Sequence, residues 1–473
     1  MFNRGKNREL MANFDKKVSF DKIRSIISKE NARVHFVGVG GVSMYGLARL
    51  SLSLGLLVSG SDREESNNTK KLSELGVKVS IGHDGAAVLG ANIVVYSHAI
   101  SDSNPELLFA RQLGIPTVSR AEYMGAVMED YKTRIGVSGS HGKSTTVAML
   151  HSIFALALTE PTTLSGAQLP LGDSVAIGSR GVMIYEACEY RDSFLSFRPT
   201  AALAINLELD HTDYFESKEA IAESFRRALS LSSGIAVINE DDEELGKLKR
   251  HISARVVTFG SGEGADYRYL ITSFCERGFV FSLSRFGSEV GSFTLNIPGV
   301  FNVTNAVGAI VIALEFGIDA EIIKRALAAF SGIPRRLELV GGRRGRPVFY
   351  DYAHHPTEIA ASINTVRGMT GGEVTVVFKP HTYSRTKSLW EDFRLSLSLA
   401  DRIILTDIYP AREAPISGVS SARLAGEIGS FATFCHDCDV AKTLDRTSRG
   451  AIILMGAGDM ENIKNDVLER IED

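Results

Sequence analysis

Short apolar runs alternate with amphipathic stretches along most of this chain. The runs Val34–Val37 and Val182–Tyr185 are rich in β-branched residues, so they predict short buried strands. After the first run, Met44, Leu47 and Leu50 recur at helical spacing and predict a helix that packs on the strand. Strands that alternate with helices in this way indicate parallel sheets, whose ligands bind at the carboxyl ends of the strands.

The alternation falls into three blocks, and 473 residues are too many for one core. We predict an α/β protein of three domains, with a Rossmann-like first domain, a central P-loop ATPase-type domain and a Rossmann-like C-terminal domain. The predicted bounds are 1–31 for an N-terminal extension, then 32–130, 131–332 and 333–473. From Tyr267 to Ile297 the central block becomes β-rich.

Composition and charge narrow the classes of partner. A net charge of −4 with 44% hydrophobic residues is typical of a soluble globular protein and disfavours nucleic acid or an anionic membrane. The basic cluster Arg343-Arg344-Gly345-Arg346 is interpreted as a solvated hairpin tip. No apolar run approaches the ~18 residues of a spanning helix, and Met1–Lys17 lacks an apolar signal core, so we predict a cytoplasmic protein. Cys435-His-Asp-Cys438 is a single C-x-x-C motif without the second cysteine pair of a zinc site, so we interpret these cysteines as structural rather than metal-binding or redox-active.

A glycine-rich turn follows the apolar run that ends at Val137 and precedes a helix. It ends in the G-K-S triplet of a phosphate-binding P-loop, although a complete P-loop would have glycine at position 137. Glycines let backbone N–H groups approach phosphate oxygens, the lysine reaches the outer phosphates, and the serine hydroxyl is placed for Mg²⁺. The alternative is a glycine-rich turn with a chance lysine. The predicted nucleotide loop comprises Gly139, Ser140, His141, Gly142, Lys143, Ser144 and Thr145.

The first block contains another glycine-rich turn. Ser43 occupies the third glycine slot of a dinucleotide fingerprint, so the turn indicates a diphosphate ligand more than it indicates NAD. Asp62 ends the next strand at the sequence distance expected of a ribose contact. The candidate contacts of this block are Gly40, Gly41, Val42, Asp62, Ser97 and His98.

Two side chains of the central block are predicted at strand ends in the sheet of the P-loop. Glu186 follows the apolar run at 182–185, and His211 follows the run at 201–205 through Asp210. A carboxylate and an imidazole near a triphosphate can hold magnesium, which offsets charge on the transferred phosphoryl group. Asp210 can orient the His211 ring. A helix-capping glutamate and a hydrogen-bonded core histidine remain equally compatible with the spacing.

The third block repeats the alternation, with polar residues at successive strand ends. Asp351 and the histidine pair before Pro356 follow one predicted strand, and Arg385 follows the next. Such a row is typical of a ligand-facing sheet edge, although polar loops also begin where strands end. In the central block Asn302 and Asn305 lie one helical turn apart, so both can face one pocket.

Four motifs, in this order, resemble the signature motifs of the Mur ligases, ATP-dependent enzymes of peptidoglycan precursor synthesis. They are Gly139-Ser-His-Gly-Lys-Ser-Thr145, Glu186-Ala-Cys-Glu-Tyr190, Asn206-Leu-Glu-Leu-Asp-His-Thr-Asp213 and Asp351-Tyr-Ala-His-His-Pro-Thr-Glu358. The opening His35-Phe-Val-Gly-Val-Gly-Gly-Val-Ser-Met44 and the segment Pro380-His-Thr-Tyr-Ser-Arg-Thr386 extend the resemblance. It covers nearly the whole chain from about Arg33.

The resemblance implies a role for each group of candidate residues. In the first domain, Gly40, Gly41, Val42, Asp62, Ser97 and His98 hold a UDP-sugar. In the central domain, the P-loop binds ATP, Lys143, Glu186 and His211 are catalytic, and Ser144, Glu186 and His211 bind magnesium. Asn302 and Asn305 face the adenine, while Arg336 and Asp351 from the third domain complete the nucleotide site. His355 and Arg385 lie near the amino acid.

The implied activity is the ATP-dependent joining of L-alanine to the lactyl carboxylate of UDP-N-acetylmuramate, through an acyl phosphate, with release of ADP and phosphate. The implied cofactors are ATP and Mg²⁺. Thr382 stands where many relatives carry arginine, which leaves Arg385 as the guanidinium for the amino-acid carboxylate. Because the substrates sit on three domains, we expect closure about linkers near Tyr131 and Gly332.

Three alternatives remain open. A ligase that joins a murein tripeptide to the same UDP-sugar usually carries a longer insertion, where this chain has only Arg191–Arg198 before Pro199. A dinucleotide-dependent oxidoreductase leaves the P-loop unused. A non-catalytic nucleotide-binding protein would bind ATP without turnover. The sequence does not indicate the oligomeric state.

Overall fold

The computed structural model describes residues 18–170, 172–211, 214–275, 278–343, 345–411, 413–447 and 450–469. The polar start of the chain, Met1–Lys17, and Arg344 of the basic cluster lie outside the described residues. Three sheets follow one another along the chain. One buried apolar cluster packs the first sheet against one face of the second, and further clusters lie on the other face of the second sheet and on the third sheet. In the described ranges, no helix has both the length and the apolar character that crossing a bilayer requires.

The first sheet is parallel and begins after a short helix, α1 (Phe20–Ile27). Its strands are β1 (Arg33–Val37), β2 (Leu57–Asp62), β3 (Lys78–Ile81), β4 (Ile93–Tyr96) and β5 (Thr117–Ser119). The connecting helices are α2 (Val42–Ser53), α3 (Asn67–Glu74), α4 (Pro105–Gln112) and α5 (Arg120–Met128). The order β3-β2-β1-β4-β5 reverses direction at β1, and a ligand crevice opens beyond the carboxyl ends of the strands at such a point.

The second sheet has ten strands in the order β15-β14-β13-β12-β11-β10-β6-β9-β7-β8. They are β6 (Thr133–Ser138), β7 (Thr162–Leu164), β8 (Val175–Ala176), β9 (Val182–Glu186), β10 (Ala201–Ala204), β11 (Ile235–Asn239), β12 (Arg255–Gly260), β13 (Tyr267–Cys275), β14 (Gly278–Arg285) and β15 (Ser288–Leu295). Its helices are α6 (Lys143–Leu156), α7 (Lys218–Ser230), α8 (Glu243–Leu248), α9 (Val300–Glu315) and α10 (Ala320–Ala329). The predicted β-rich stretch is the antiparallel meander β13–β15.

The third sheet has six strands in the order β16-β17-β21-β18-β19-β20. They are β16 (Glu338–Arg343), β17 (Arg346–Asp351), β18 (Val374–Phe378), β19 (Arg402–Leu405), β20 (Ala432–Phe434) and β21 (Ala451–Met455). The helices are α11 (Pro356–Thr370), α12 (Tyr383–Ser388), α13 (Trp390–Leu397), α14 (Ser421–Ile428), α15 (Val440–Thr447) and α16 (Glu461–Glu469). Among the described residues of this sheet, the edge hairpin β16–β17 is the one antiparallel pair. These three α/β layers confirm the predicted fold class.

The edge hairpin corrects the interpretation of the basic cluster as solvated. The side chain of Arg343 is buried, with 1% of it exposed. Its guanidinium donates to the Asp445 carboxylate at 2.7 Å and to the backbone carbonyl of Val467 at 2.6 Å. A buried guanidinium is tolerated only when its donors are satisfied in this way. Arg343 therefore ties the hairpin to the helices behind the sheet.

Candidate active site

The nucleotide loop lies between β6 and α6 and is held from behind by the segment after β10. Asn206 accepts the His141 N–H at 2.9 Å through its side chain, and the Ser140 hydroxyl accepts the Glu208 N–H at 2.8 Å. Gly142 has a φ of 82°, a left-handed conformation that favours glycine, and α6 begins at the next residue. The first N–H groups of α6 have no intrahelical acceptor and form an anion-binding end.

The ammonium group of Lys143 is the cation at the mouth of this loop. Its Nζ lies 3.1 Å from Oε2 of Glu189, whose side chain is only 1% exposed, and it also donates to the Gly139 carbonyl. Burial alone would lower the pKa of Lys143, but Glu189 and Glu186 raise it. The lysine is therefore cationic, and its partner carboxylate holds it within the loop.

The predicted magnesium residues lie around the same carboxylate. Glu186, at the end of β9, accepts the Gly166 N–H at 2.5 Å through Oε1. The Nε2 atom of His211 lies 3.7 Å from Glu189 Oε1. Ser144 is buried at the start of α6, and all three predicted metal residues line one cleft. Carboxylate, imidazole and hydroxyl donors that converge in this way can hold a divalent cation.

Asp210 has a different partner from the one expected. It accepts the His211 backbone N–H at 2.7 Å, but its carboxylate lies 3.9 Å from the His211 ring nitrogen. The guanidinium of Arg385, from the third sheet, donates to Asp210 at 2.9 Å. Burial would raise the pKa of Asp210, yet Arg385 and His211 hold it well below its usual range. Asp210 therefore joins the central and C-terminal parts, and it does not orient the His211 ring.

A cavity of about 250 Å³ adjoins the loop, and the predicted adenine residues line it. Its walls include Gly142, Thr145, Phe301, Asn302, Asn305, Arg336 and Asp351. Asn305 donates to Asn302 at 3.1 Å, and Asn302 donates to the Pro298 carbonyl at 2.6 Å, so the amides are fixed. Burial raises the pKa of Asp351 to about 6. Helix α9 of the central sheet and the end of β17 in the third sheet thus face one cavity.

The side chain of His141 points across the same boundary between sheets. Its Nε2 lies 3.3 Å from Glu208 of the central part, and its Nδ1 lies 3.2 Å from Glu358 of α11. Burial alone would lower the pKa of His141, but Glu358 and Glu208 raise it to about 10. His355 lies against the same group, with its ring centroid 4.9 Å from that of His141. The resemblance implies a position for His355 near the amino acid, and in the structure its ring lies beside His141 of the nucleotide loop.

The glycine-rich turn after β1 borders an open groove of about 1270 Å³. Gly40, Gly41, Val42, Asp62 and Ser97 line it, as do His381, Thr382, Tyr409 and Glu413 from the third sheet. Asp62 accepts the Gly40 N–H at 2.8 Å and so shapes the turn itself. The exposed His98 follows Ser97 and does not line the groove. Five strand ends of two sheets therefore share one surface for a long polar ligand.

The cleft that contains the predicted magnesium residues has a volume of about 960 Å³ and lies where all three sheets converge. Val42 and Asn68 enter it from the first sheet, and Lys143 and Glu186 enter it from the second. The third sheet contributes Arg335, Arg336, Tyr350, His354 and Lys464. Cationic side chains from two sheets and the metal candidates therefore face one volume that is large enough for more than one substrate.

Three carboxylates of this region were missed by sequence reasoning. Glu189, Glu208 and Glu358 each lie inside a quoted motif, three residues from a predicted site residue. Their importance comes from pairings with Lys143 and His141 that cross elements. In the sequence, only their position inside the motifs indicates that these carboxylates belong to the site. A carboxylate in a polar loop is ordinarily solvated, so its residue type does not predict a buried pairing.

Models of the Mur ligase family match the chain in three successive segments. The model described as the Mur ligase family catalytic domain matches residues 33–132, the Mur ligase middle domain matches 137–313, and the Mur ligase glutamate ligase domain matches 335–461.

Relatives and solved structures agree with these matches. The UDP-N-acetylmuramate–L-alanine ligase of Caldicellulosiruptor saccharolyticus is 40% identical over 92% of this chain and 98% of its own length. The enzyme of the same name from Aquifex aeolicus is 39% identical over 93% of this chain and 98% of its own length. The structure of the UDP-N-acetylmuramate–alanine ligase from Thermotoga maritima superposes with a TM-score of 0.79 at 25% identity, covering 93% of this chain and 99% of that one. A murein peptide ligase from Psychrobacter arcticus shares the fold at 22% identity, with a TM-score of 0.70 over 93% and 99%.

Proposed function

The chain belongs to the Mur ligase family, and we propose that it joins L-alanine to UDP-N-acetylmuramate at the expense of ATP. It is an amide-bond-forming ligase of peptidoglycan precursor synthesis. The observation that carries this assignment is the convergence of the three sheets on one cleft that contains Lys143, Glu186 and His211. A ligase that activates one substrate with ATP and attaches a second needs its three binding surfaces to meet in this way.

The first chemical step activates the lactyl carboxylate. A carboxylate oxygen attacks the γ-phosphorus of ATP, the bond from that phosphorus to the ADP oxygen breaks, and an acyl phosphate forms. The attacking group is already an anion, so the step needs positioning and charge neutralisation more than a general base. We assign the neutralising role to Lys143, whose ammonium leaves Glu189 for the phosphoryl oxygens when the nucleotide binds.

The second step forms the amide. The neutral amine of the amino acid attacks the carbonyl carbon, the bond from that carbon to the phosphate oxygen breaks, and the proton lost from the nitrogen passes to the departing phosphate. The phosphate is a good leaving group, so no further activation of the carbonyl is required. We assign Arg385 to the amino-acid carboxylate, which requires the guanidinium to turn from Asp210 or to share it. We place His355 near this subsite, as the resemblance implies, with Arg385 as the group that binds the carboxylate.

The donor atoms present fit ATP and magnesium. The start of α6, with Gly142 in the left-handed conformation, offers backbone N–H groups to phosphates. Ser144, Glu186 and His211 line the cleft beside Lys143 and would hold the cations. Magnesium supplies charge neutralisation on the transferred phosphoryl group. We assign the 250 Å³ cavity with Asn302 and Asn305 to the adenine.

The UDP-sugar is assigned to the groove after β1 and β4. The turn at Gly40 and Gly41 would approach the diphosphate closely because it carries no side chains, and Asp62, which accepts the Gly40 N–H, supports the shape of that turn. Ser97 lines the same groove, and we retain His98 as a neighbouring contact. We divide the chain at 32, 131 and 333, and place the protein in the cytoplasm, where its nucleotide substrates occur. Closure of the three parts is expected to complete the site.

The recycling of murein tripeptide is the second candidate. It is favoured by one observation, the open groove of about 1270 Å³ whose wall at Thr382 lacks the arginine of many relatives. Phosphate release should be measured with ATP, Mg²⁺ and UDP-N-acetylmuramate, offering L-alanine, L-serine, glycine or the tripeptide separately. Release strongest with L-alanine, and a product heavier by one alanyl residue, is the expected result. Release only with the tripeptide would transfer the chain to the recycling activity, and ATP binding without any release would refute both.

A further inference from the structure

A cluster of two histidines and one glutamate lies between the central and third sheets, outside the residues assigned to magnesium. It consists of His141 from the nucleotide loop, Glu208 from the loop after β10, and His355 from the turn before α11. One ligand atom of each residue lies within 4.8 Å of the others. We propose that these three side chains bind a divalent transition-metal ion of the zinc class, which links the two sheets.

The spacing of the donor atoms is the first argument. His141 Nε2 and His355 Nδ1 each lie 3.3 Å from the same oxygen, Glu208 Oε2. Zinc binds nitrogen and oxygen at about 2.0–2.2 Å in a tetrahedron, whose ligands are then separated by about 3.3–3.6 Å. Both separations are long for charge-assisted hydrogen bonds, which are about 2.7–2.9 Å. The His141 contact also has hydrogen-bond geometry, whereas the His355 contact does not, and both separations match edges of a coordination tetrahedron.

The unused donors of His355 are the second argument. Its side chain is more than nine-tenths buried, and neither ring nitrogen makes a hydrogen bond with any described residue. A buried polar group without a partner is costly, so such a group in a native structure calls for a ligand. The Nδ1 atom points toward the Glu208 oxygen without hydrogen-bond geometry. An ion between the two atoms would satisfy both.

The surrounding contacts complete the pattern of a metal site. When a histidine binds a metal through one nitrogen, the other N–H usually donates to a carboxylate. For His141 that carboxylate is present, because Nδ1 lies 3.2 Å from Glu358 Oε1. The Thr357 hydroxyl donates to Glu208 Oε2 at 2.8 Å and orients it. Two imidazoles with one carboxylate favour zinc-class ions over Mg²⁺, which prefers an all-oxygen environment.

The proposal is tested with the full chain after chelator treatment and removal of the chelator. Co²⁺ is titrated in excess Mg²⁺ without nucleotide, and its visible d–d absorption is followed. We expect one equivalent to give an intense band that Zn²⁺ abolishes by displacement. His355→Gln and Glu208→Gln should each weaken Co²⁺ binding at least tenfold. The matched control is His354→Gln, because His354 adjoins the cluster in sequence and instead has its Nδ1 3.0 Å from the Tyr352 carbonyl.

Two further measurements keep the test decisive. His211→Gln identifies absorption that arises at the predicted magnesium residues, and loss of the band in that variant alone would overturn the proposal. An unchanged Co²⁺ affinity in both cluster variants, or no band in the wild type, would do the same. Circular dichroism reports whether His355→Gln folds, and Glu208→Gln decides the matter if it does not. The readout needs neither UDP-sugar nor amine, so its failure is distinct from failure of the ligase assignment.

Discussion

Replacing Gly142 with alanine tests whether the nucleotide loop and the adenine cavity form one packed unit. Gly142 has a φ of 82°, and a Cβ built there would lie 2.4 Å from Oδ1 of Asn305. Asn305 is buried and donates to Asn302, which is itself tied to a backbone carbonyl. The added methyl group must therefore push either the loop or the amide pair by about 1 Å, since ordinary contacts begin near 3.4 Å.

The size of the effect separates into two parts. The left-handed conformation costs alanine about 1–2 kcal/mol. Displacing Asn305 breaks its hydrogen bond to Asn302 for about 1 kcal/mol more, and adds a similar cost from overpacking. Gly76 supplies the matched control, because its φ is 84° and no atom lies within 4 Å of a Cβ built there. Gly76→Ala carries the conformational cost without the collision.

The assay is ATP affinity by calorimetry, with urea unfolding of both variants as the stability reference. We expect Gly142→Ala to weaken ATP binding at least tenfold, or about 1.4 kcal/mol, and to lose about 3–4 kcal/mol of stability. Gly76→Ala should lose about 1–2 kcal/mol of stability and bind ATP as the wild type does. Equal ATP affinities in the two variants would refute the argument that loop and cavity are coupled by this contact.

Three further outcomes are expected. Lys143→Ala and Glu186→Gln should each abolish phosphate release while the circular dichroism spectrum stays unchanged; near-normal turnover in either would overturn the site assignment. Arg343→Ala should lower the free energy of unfolding, measured in urea, by about 2–4 kcal/mol, because it removes a buried guanidinium and its hydrogen bonds. Arg346→Ala should lower it by less than about 1 kcal/mol. Equal losses in the two variants would contradict the buried role of Arg343. Burial raises the pKa of Asp351 to about 6, above the ~3.9 of an unfolded chain, so its contribution to stability is present at low pH and is lost as pH rises from about 4 to 6. Asp351→Asn should remove this dependence on pH when urea midpoints are measured from about pH 4 to 6. If the midpoints of the wild type and the variant change with pH in parallel, the assignment to Asp351 is wrong.

Local patterns in the sequence were enough to predict the elements and the fold class. The apolar runs became β1, β9, β10 and the central strands of the third sheet, because a parallel strand buried on both faces must be apolar along its length. Predicted site residues also met where expected, since parallel strands bring their carboxyl ends to one edge. Lys143, Glu186 and His211 line one cleft for that reason.

Pairings between elements distant in sequence could not be read from the sequence. Arg343 was expected in solvent, yet the helices behind its hairpin bury it against a carboxylate and backbone carbonyls. Asp210 was expected to orient a neighbouring ring, and it binds Arg385, 175 residues away. A charged side chain in a loop carries the same local signal whether it faces water or a partner, because its pairing depends on elements distant in sequence.

The sequence by itself determined which residues form strands and helices, where the glycine-rich turns lie, and the family to which the chain belongs. Those properties depend on hydrophobic period and on backbone conformation, which are local. The tertiary structure alone decided that Glu189 holds Lys143 and that His141 spans Glu208 and Glu358. It also decided that the ring nitrogens of the buried His355 have no hydrogen bond to any described residue. These contacts depend on how elements distant in sequence pack together, and that packing is set by whole surfaces.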